Sequence, residues 1–216
     1  MPSPIGHALA GATVAWTTDA LSPPARPTGP GLVVACMAIA AAPDLDLAFG
    51  FHRTSTHSIG MTAMVAATAA IVAAYTRAPV LRTALACAAA HGSHLLLDWL
   101  AVDRFPPYGL QALWPFSSEF YISGWDIFRH TERRHVFSAL AIRTNGLAVA
   151  QELLILGPLA LVALRARASR SRSLGPTSVR DGRRPPCAAG ADTAGTSDRR
   201  SLRAARSESR GRRRGR

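Results

Sequence analysis

The chain has 216 residues, 25 of them basic against 13 acidic, for a net charge of +12, with 48% hydrophobic residues and a mean hydropathy of +0.11. Residues 1–164 hold nine Arg and nine Asp or Glu, whereas residues 165–216 hold 16 Arg against Asp181, Asp192, Asp198 and Glu208 and so carry the whole net charge. A like-charge block poor in apolar residues cannot bury a core, so the fold is expected from 1–164 alone, and the scattered Cys36, Cys87 and Cys187 exclude a disulfide framework or a zinc knuckle.

Five apolar stretches follow along the chain, at 5–21, 32–51, 59–75, 80–102 and about 146–164. A helix needs about 20 apolar residues to cross the hydrocarbon layer. The stretches match that length and predict an all-α, polytopic membrane bundle of about four to five helices. In the first stretch Thr17, Thr18 and Asp19 shorten the apolar part, which leaves three readings open: a span, an interfacial helix or a core helix. Met1 to Trp16 has no basic segment, so no cleaved signal is expected. Prolines and polar residues at 22–31, 52–58 and 76–79 separate the helices. The longer connection at 103–138 contains Trp114, Tyr121 and Trp125, aromatic residues that suit a segment resting on the membrane surface.

If all five stretches span, Arg26, the Arg77 and Arg82 pair and the basic tail fall on one side. The positive-inside rule makes that side cytoplasmic. The tail, 165–216, is expected to be a solvated, disordered extension. No aromatic residue lies among its arginines, so base stacking has no platform and specific nucleic-acid recognition is not expected; attraction to anionic lipid stays open.

The polar residues inside the apolar stretches carry the chemistry. His7 starts the first stretch, Asp44 and Asp46 end the second, His52 and His57 precede the third, and His91, His94 and Asp98 close the fourth. Starts of odd spans and ends of even spans lie on one side of a membrane, so alternation alone gathers all of them at one face. His91, His94 and Asp98 also share one helical stripe by their spacing. Imidazole and carboxylate together are the mixed donors of zinc and related divalent cations. For His94 and Asp98 alone a structural hydrogen bond competes with this reading, and the other donors on the same face favour a metal. Pro43 breaks the helix beside Asp44 and Asp46, which is also how an ordinary helix exit into water would look. Arg53 is placed either to hold an anionic phosphate or to pair with Asp44 or Asp46. Thr56 and Ser58 read as helix-capping residues, since no Gly-x-Ser-x-Gly elbow is present. His130 and His135 read as surface residues, and Glu152 as a partner for another helix or for the site.

The ordered set of Pro4-Ile5-Gly6-His7, Pro43-Asp44-Leu45-Asp46, His52-Arg53, Thr56-His57-Ser58, His94 with Leu97-Asp98, and Tyr108-Gly109 leading to Trp114-Pro115-Phe116 resembles the YdjM-type family of inner-membrane, metal-dependent hydrolases. Families of this type resemble, distantly, the zinc-dependent phospholipases C and single-strand nucleases. The resemblance covers about residues 1–120 and implies His7, Asp44, Asp46, His57, His94 and Asp98 as metal ligands, with His52 and His91 as further candidates. It implies a divalent metal, zinc or else manganese, in a multi-pass protein of the inner membrane, with the lipid bilayer as partner; the substrate expected on this reading is a phosphoester, such as that of a phospholipid, at the outer face. Asp46 is expected to take the proton of an activated water and Arg53 to hold the phosphate. The alternative is a non-enzymatic membrane protein that binds or transports a divalent metal.

Overall fold

The computed structural model describes residues 1–22, 29–50, 53–104, 106–133 and 135–173. Five α-helices run through them: α1 (Pro4–Leu21), α2 (Pro30–Ala41), α3 (Ile59–Thr76), α4 (Val80–Trp99) and α5 (Ala139–Ser173). Among the described residues no strand forms, only the isolated bridges Ala101–Phe128 and Leu110–Tyr121. The all-α expectation is met.

Local chemistry sets the helix ends. Ser3 caps α1 by accepting the Gly6 amide at 3.1 Å, with Pro4 in the first turn, where its missing N–H costs nothing. Ser58 caps α3 in the same way through the Met61 amide, also at 3.1 Å. At Ala42 the α2 helix tightens into a 3-10 segment, Ala42–Phe49. Pro43 has no amide hydrogen and cannot continue the α-helical bonding pattern.

The segments Pro30–Phe49, Ile59–Thr76, Val80–Trp99 and Ala139–Arg172 are long and apolar enough to cross a membrane. Their outward faces are apolar rather than charged: Val34, Met64, Ile71, Leu85, Leu154 and Val162 are all exposed. Such a surface is suited to lipid, which lacks the water that would penalise it.

The α1 helix is not apolar enough to count with those four, yet it lies at the centre, packed on α2, α4 and α5. It buries Gly6, His7, Ala10, Gly11, Ala12, Ala15 and Asp19. Small residues let helix backbones approach closely where no hydrophobic effect pulls them together. A Cβ on Gly11 would collide with the Cys36 carbonyl and lie 2.9 Å from the Ala40 Cβ. Around this contact Ala15, Cys36, Ala40, Ala86, Cys87 and Ala90 form a close-packed apolar layer. Cys36 and Cys87 are free thiols buried there. At the lower end of α1, Asp19 pairs with Arg82 of α4 and, at 2.8 Å, with Arg167 of α5.

The boundary expected at residue 164 is not a helix end, because α5 continues to Ser173 and carries Arg165, Arg167, Arg170 and Arg172 with it. Residues 174–216, with Cys187 and the rest of the basic tail, lie outside the described residues.

Candidate metal centre

Four elements deliver donors to one point at the upper end of the bundle. The first turn of α1 brings His7, the 3-10 segment after α2 brings Asp44, the short 3-10 turn Ser55–His57 brings His57, and the last turns of α4 bring His94 and Asp98. One ligand atom each from Asp44, His57, His94 and Asp98 lies within 4.8 Å of the others. Asp98 is central: Oδ1 lies 3.5 Å from His7 Nε2, while Oδ2 lies 3.5 Å from His57 Nε2 and 3.4 Å from His94 Nε2. Asp44 stands 3.9 Å from His7 Nε2, 3.8 Å from His57 Nε2 and 4.0 Å from His94 Nε2. The imidazoles of His7 and His94 stack with centroids 3.9 Å apart, and all three histidines are fully buried.

These atoms face one space, 3.4 to 4.0 Å apart across it. His7 Nε2, His94 Nε2, Asp44 Oδ1 and both oxygens of Asp98 are buried and have no hydrogen-bond partner among the described residues. A buried polar atom left unpaired costs about 1–3 kcal/mol, so a native cluster of them calls for an explanation. A divalent cation answers it, because every one of these atoms is a lone-pair donor. Mixed nitrogen and oxygen donors in this number could hold a divalent metal ion.

The surrounding contacts fix which nitrogen faces the space. His94 Nδ1 lies 2.7 Å from the Ala40 carbonyl, which can only accept. Nδ1 therefore carries the proton and Nε2 presents its lone pair. His57 Nδ1 lies 3.2 Å from Asp46 Oδ2 and 3.0 Å from the Thr56 hydroxyl. That carboxylate–histidine arrangement is the usual outer support of a metal-binding imidazole. Burial favours the neutral His57 ring, but the carboxylates of Asp44 and Asp46 outweigh it and raise the pKa to about 9.

The structure separates the other sequence candidates from this point. Asp46 accepts from the Thr56 hydroxyl and from the Arg53 amide at 3.3 Å as well as facing His57, so it stands one layer behind the donors. His91 is engaged at both nitrogens, by the Thr56 carbonyl at 3.1 Å and the Thr62 hydroxyl at 2.8 Å. His52 lies outside the described residues. The Arg53 guanidinium pairs with Asp103 rather than with Asp44 or Asp46.

Two residues matter here that the sequence reading did not single out in these roles. Arg133, from the long connection, reaches Asp44 Oδ2 at 3.2 Å. Glu152 of α5, buried, accepts the Ser3 amide at 2.6 Å and the Ser3 hydroxyl, and a Cβ on Gly6 would sit 2.5 Å from its Oε2. Glu152 thus holds the start of α1 and sets the height of His7. The sequence signal for it was a carboxylate inside an apolar span, which is expensive unless paired.

The connection also braces the donor-bearing loop. The Ile59 and Gly60 amides donate to the Ala112 and Trp114 carbonyls at 2.9 and 3.1 Å, and the Gln111 amide donates to the Arg53 carbonyl at 3.0 Å. Beside the centre lies a cavity of about 470 Å3, walled by Met1, Arg53, Asp103, Arg104, His130 and Arg133 among others.

No curated protein and no solved structure matches the chain. A family model described as YdjM inner membrane protein matches residues 1–170, a stretch that includes every donor of the centre and nearly all of α5. The chain, a multi-helix membrane protein with a His/Asp cluster able to hold a metal ion, therefore belongs to the YdjM inner membrane protein family.

Proposed function

We propose that the protein is a membrane-bound, metal-dependent hydrolase that cleaves a phosphoester at the membrane surface, with zinc or manganese held by Asp44, His57, His94, Asp98 and His7. The observation that carries the reading is the ring of buried, unbonded donor atoms of His7, Asp44, His94 and Asp98 facing one space beside His57. A divalent cation bound there would polarise a phosphoryl oxygen and acidify a coordinated water. The chain's own residues do the rest. Asp46 and the Ala40 carbonyl hold His57 and His94 with the Nε2 atoms inward, Glu152 fixes α1, and Arg133 places a guanidinium against Asp44, where an anionic substrate would approach.

A cation carrier is the competing class, and the packing speaks against it. Beneath the donors Ala15, Cys36, Ala40, Ala86, Cys87 and Ala90 form a close-packed apolar layer, which opposes passage of a hydrated cation through this part of the described bundle. The arginine distribution supports an extracytoplasmic centre, because Arg77 and Arg82 flank the α3–α4 turn and Arg165, Arg167, Arg170 and Arg172 close α5, all away from the donors.

The test joins metal analysis of the purified protein to hydrolysis of a chromogenic phosphodiester and of phospholipid in mixed micelles. Bound zinc or manganese and metal-dependent turnover, both absent from Asp98→Ala, are expected. A metal-loaded protein that hydrolyses neither substrate but moves the cation across proteoliposomes would replace this reading with the carrier.

A further inference from the structure

The cavity beside the cluster has a composition the metal chemistry does not use. Arg53, Arg104 and Arg133 enter its wall with His130, against the two acids Asp103 and Glu132. Asp103 is committed elsewhere: it pairs with the Arg53 guanidinium and accepts the Gly109 amide at 2.7 Å. Arg104 is exposed and makes no ion pair among the described residues. Arg133, about a quarter exposed at 26%, spans the boundary, lining the cavity while touching Asp44. The remaining wall is apolar, with Met1, Leu47 and Val102. A volume of about 470 Å3 suits a polar headgroup and not a pair of acyl chains.

We infer that this cavity is the subsite for a phosphate group of the substrate, read by Arg104 and Arg133. The inference rests on the hydrolase reading and names its recognition site. Arginine is the side chain whose planar donors match phosphate oxygens in pairs, and two such forks converge here from separate segments of the connection. Arg133 has a second consequence. A cation among the donors takes up the charge of Asp44, so the guanidinium is released from that carboxylate toward the cavity. Metal loading therefore strengthens phosphate binding, and by linkage phosphate strengthens metal binding by the same factor.

The experiment is calorimetric titration of inorganic phosphate into the full-length protein in neutral detergent, metal-free and manganese-loaded, with manganese content measured alongside. Phosphate binding that tightens on manganese loading is expected, weakened about tenfold in Arg104→Gln and in Arg133→Gln, and partly restored by Arg104→Lys. Arg104 is exposed, so its replacement leaves the core untouched. Displacement of the phosphate by short-chain phosphatidic acid, but not by glycerol 3-phosphate, identifies a lipid headgroup as the source of the anion; the opposite order identifies a soluble phosphate ester; displacement by neither overturns the subsite. Manganese uptake with phosphate binding that ignores both arginines also overturns it and leaves the metal reading standing. Arginine-dependent phosphate binding without manganese uptake does the reverse.

Discussion

At the scale of single residues, Asp98 has its two oxygens within 3.5 Å of three imidazole nitrogens. Replacing it by Asn removes one anionic donor while keeping the shape, and metal content of the purified protein should fall to background by elemental analysis. Asp46→Asn acts differently, because Asp46 supports His57 from behind. Metal affinity should drop about 10–100-fold with the fold retained, as chelator competition would measure; an unchanged affinity would remove Asp46 from the outer support. The raised His57 pKa gives the pH dependence. In the metal-free protein the protonated ring stabilises the fold fully below its ordinary value of 6.5, and this contribution is lost as pH rises through about 9. A cation needs the neutral ring, so its affinity should rise about tenfold per pH unit up to about pH 9. Titration in buffers of different ionisation enthalpy counts the released proton, and a pH-independent affinity would contradict it. His7, Asp44, His57, His94 and Asp98 were legible as a group because alternation of spans places helix ends without any coordinates. The rank of Asp46 behind His57 was not, since two carboxylates two residues apart look alike until the 3-10 winding aims them differently.

At the scale of elements, α1 is not apolar enough to count with the four candidate spans, yet it holds the most central place. Lipid-facing helices advertise themselves by large apolar side chains, whereas α1 touches neighbours on most sides and uses Gly and Ala. That is why the sequence left its placement open. Gly11→Val should push α1 off α2 and cost about 1–3 kcal/mol, read as a lowered melting temperature in detergent together with loss of bound metal as His7 is displaced. A variant that melts like the parent and keeps its metal would show that the α1–α2 contact yields easily. The long connection was read as a membrane-resting segment, and its exposed Tyr108, Phe116, Trp125 and Phe137 suit that role. Its second task, delivering Arg133 to Asp44, was hidden by the long sequence separation between them.

For the whole molecule, a cation held by the folded bundle's upper end and not by the unfolded chain stabilises the fold by mass action. Manganese or zinc at about 100 times its dissociation constant should add about 2.7 kcal/mol, or roughly 5–10 °C in melting temperature for a chain of this size, reversed by a chelator. Truncation after Ser173 should leave that increment intact, because no histidine follows His135 and α5 ends there. A membrane bundle of about four to five helices was legible from apolar length alone. The end of α5 was not, since arginines propagate a helix well and composition places its boundary too early.

Two rungs join α1 to α4: the meeting of His7 with His94 and Asp98, and the pairing of Asp19 with Arg82. Asp19 follows His7 by twelve positions and His94 follows Arg82 by twelve, so the antiparallel helices carry matching intervals of about 18 Å. Deleting any one residue between the rungs in either helix would shorten one rail by about 1.5 Å and swing its far end by about 100°. Only one of the two rungs then closes, so this interval should tolerate substitution far better than any change in length.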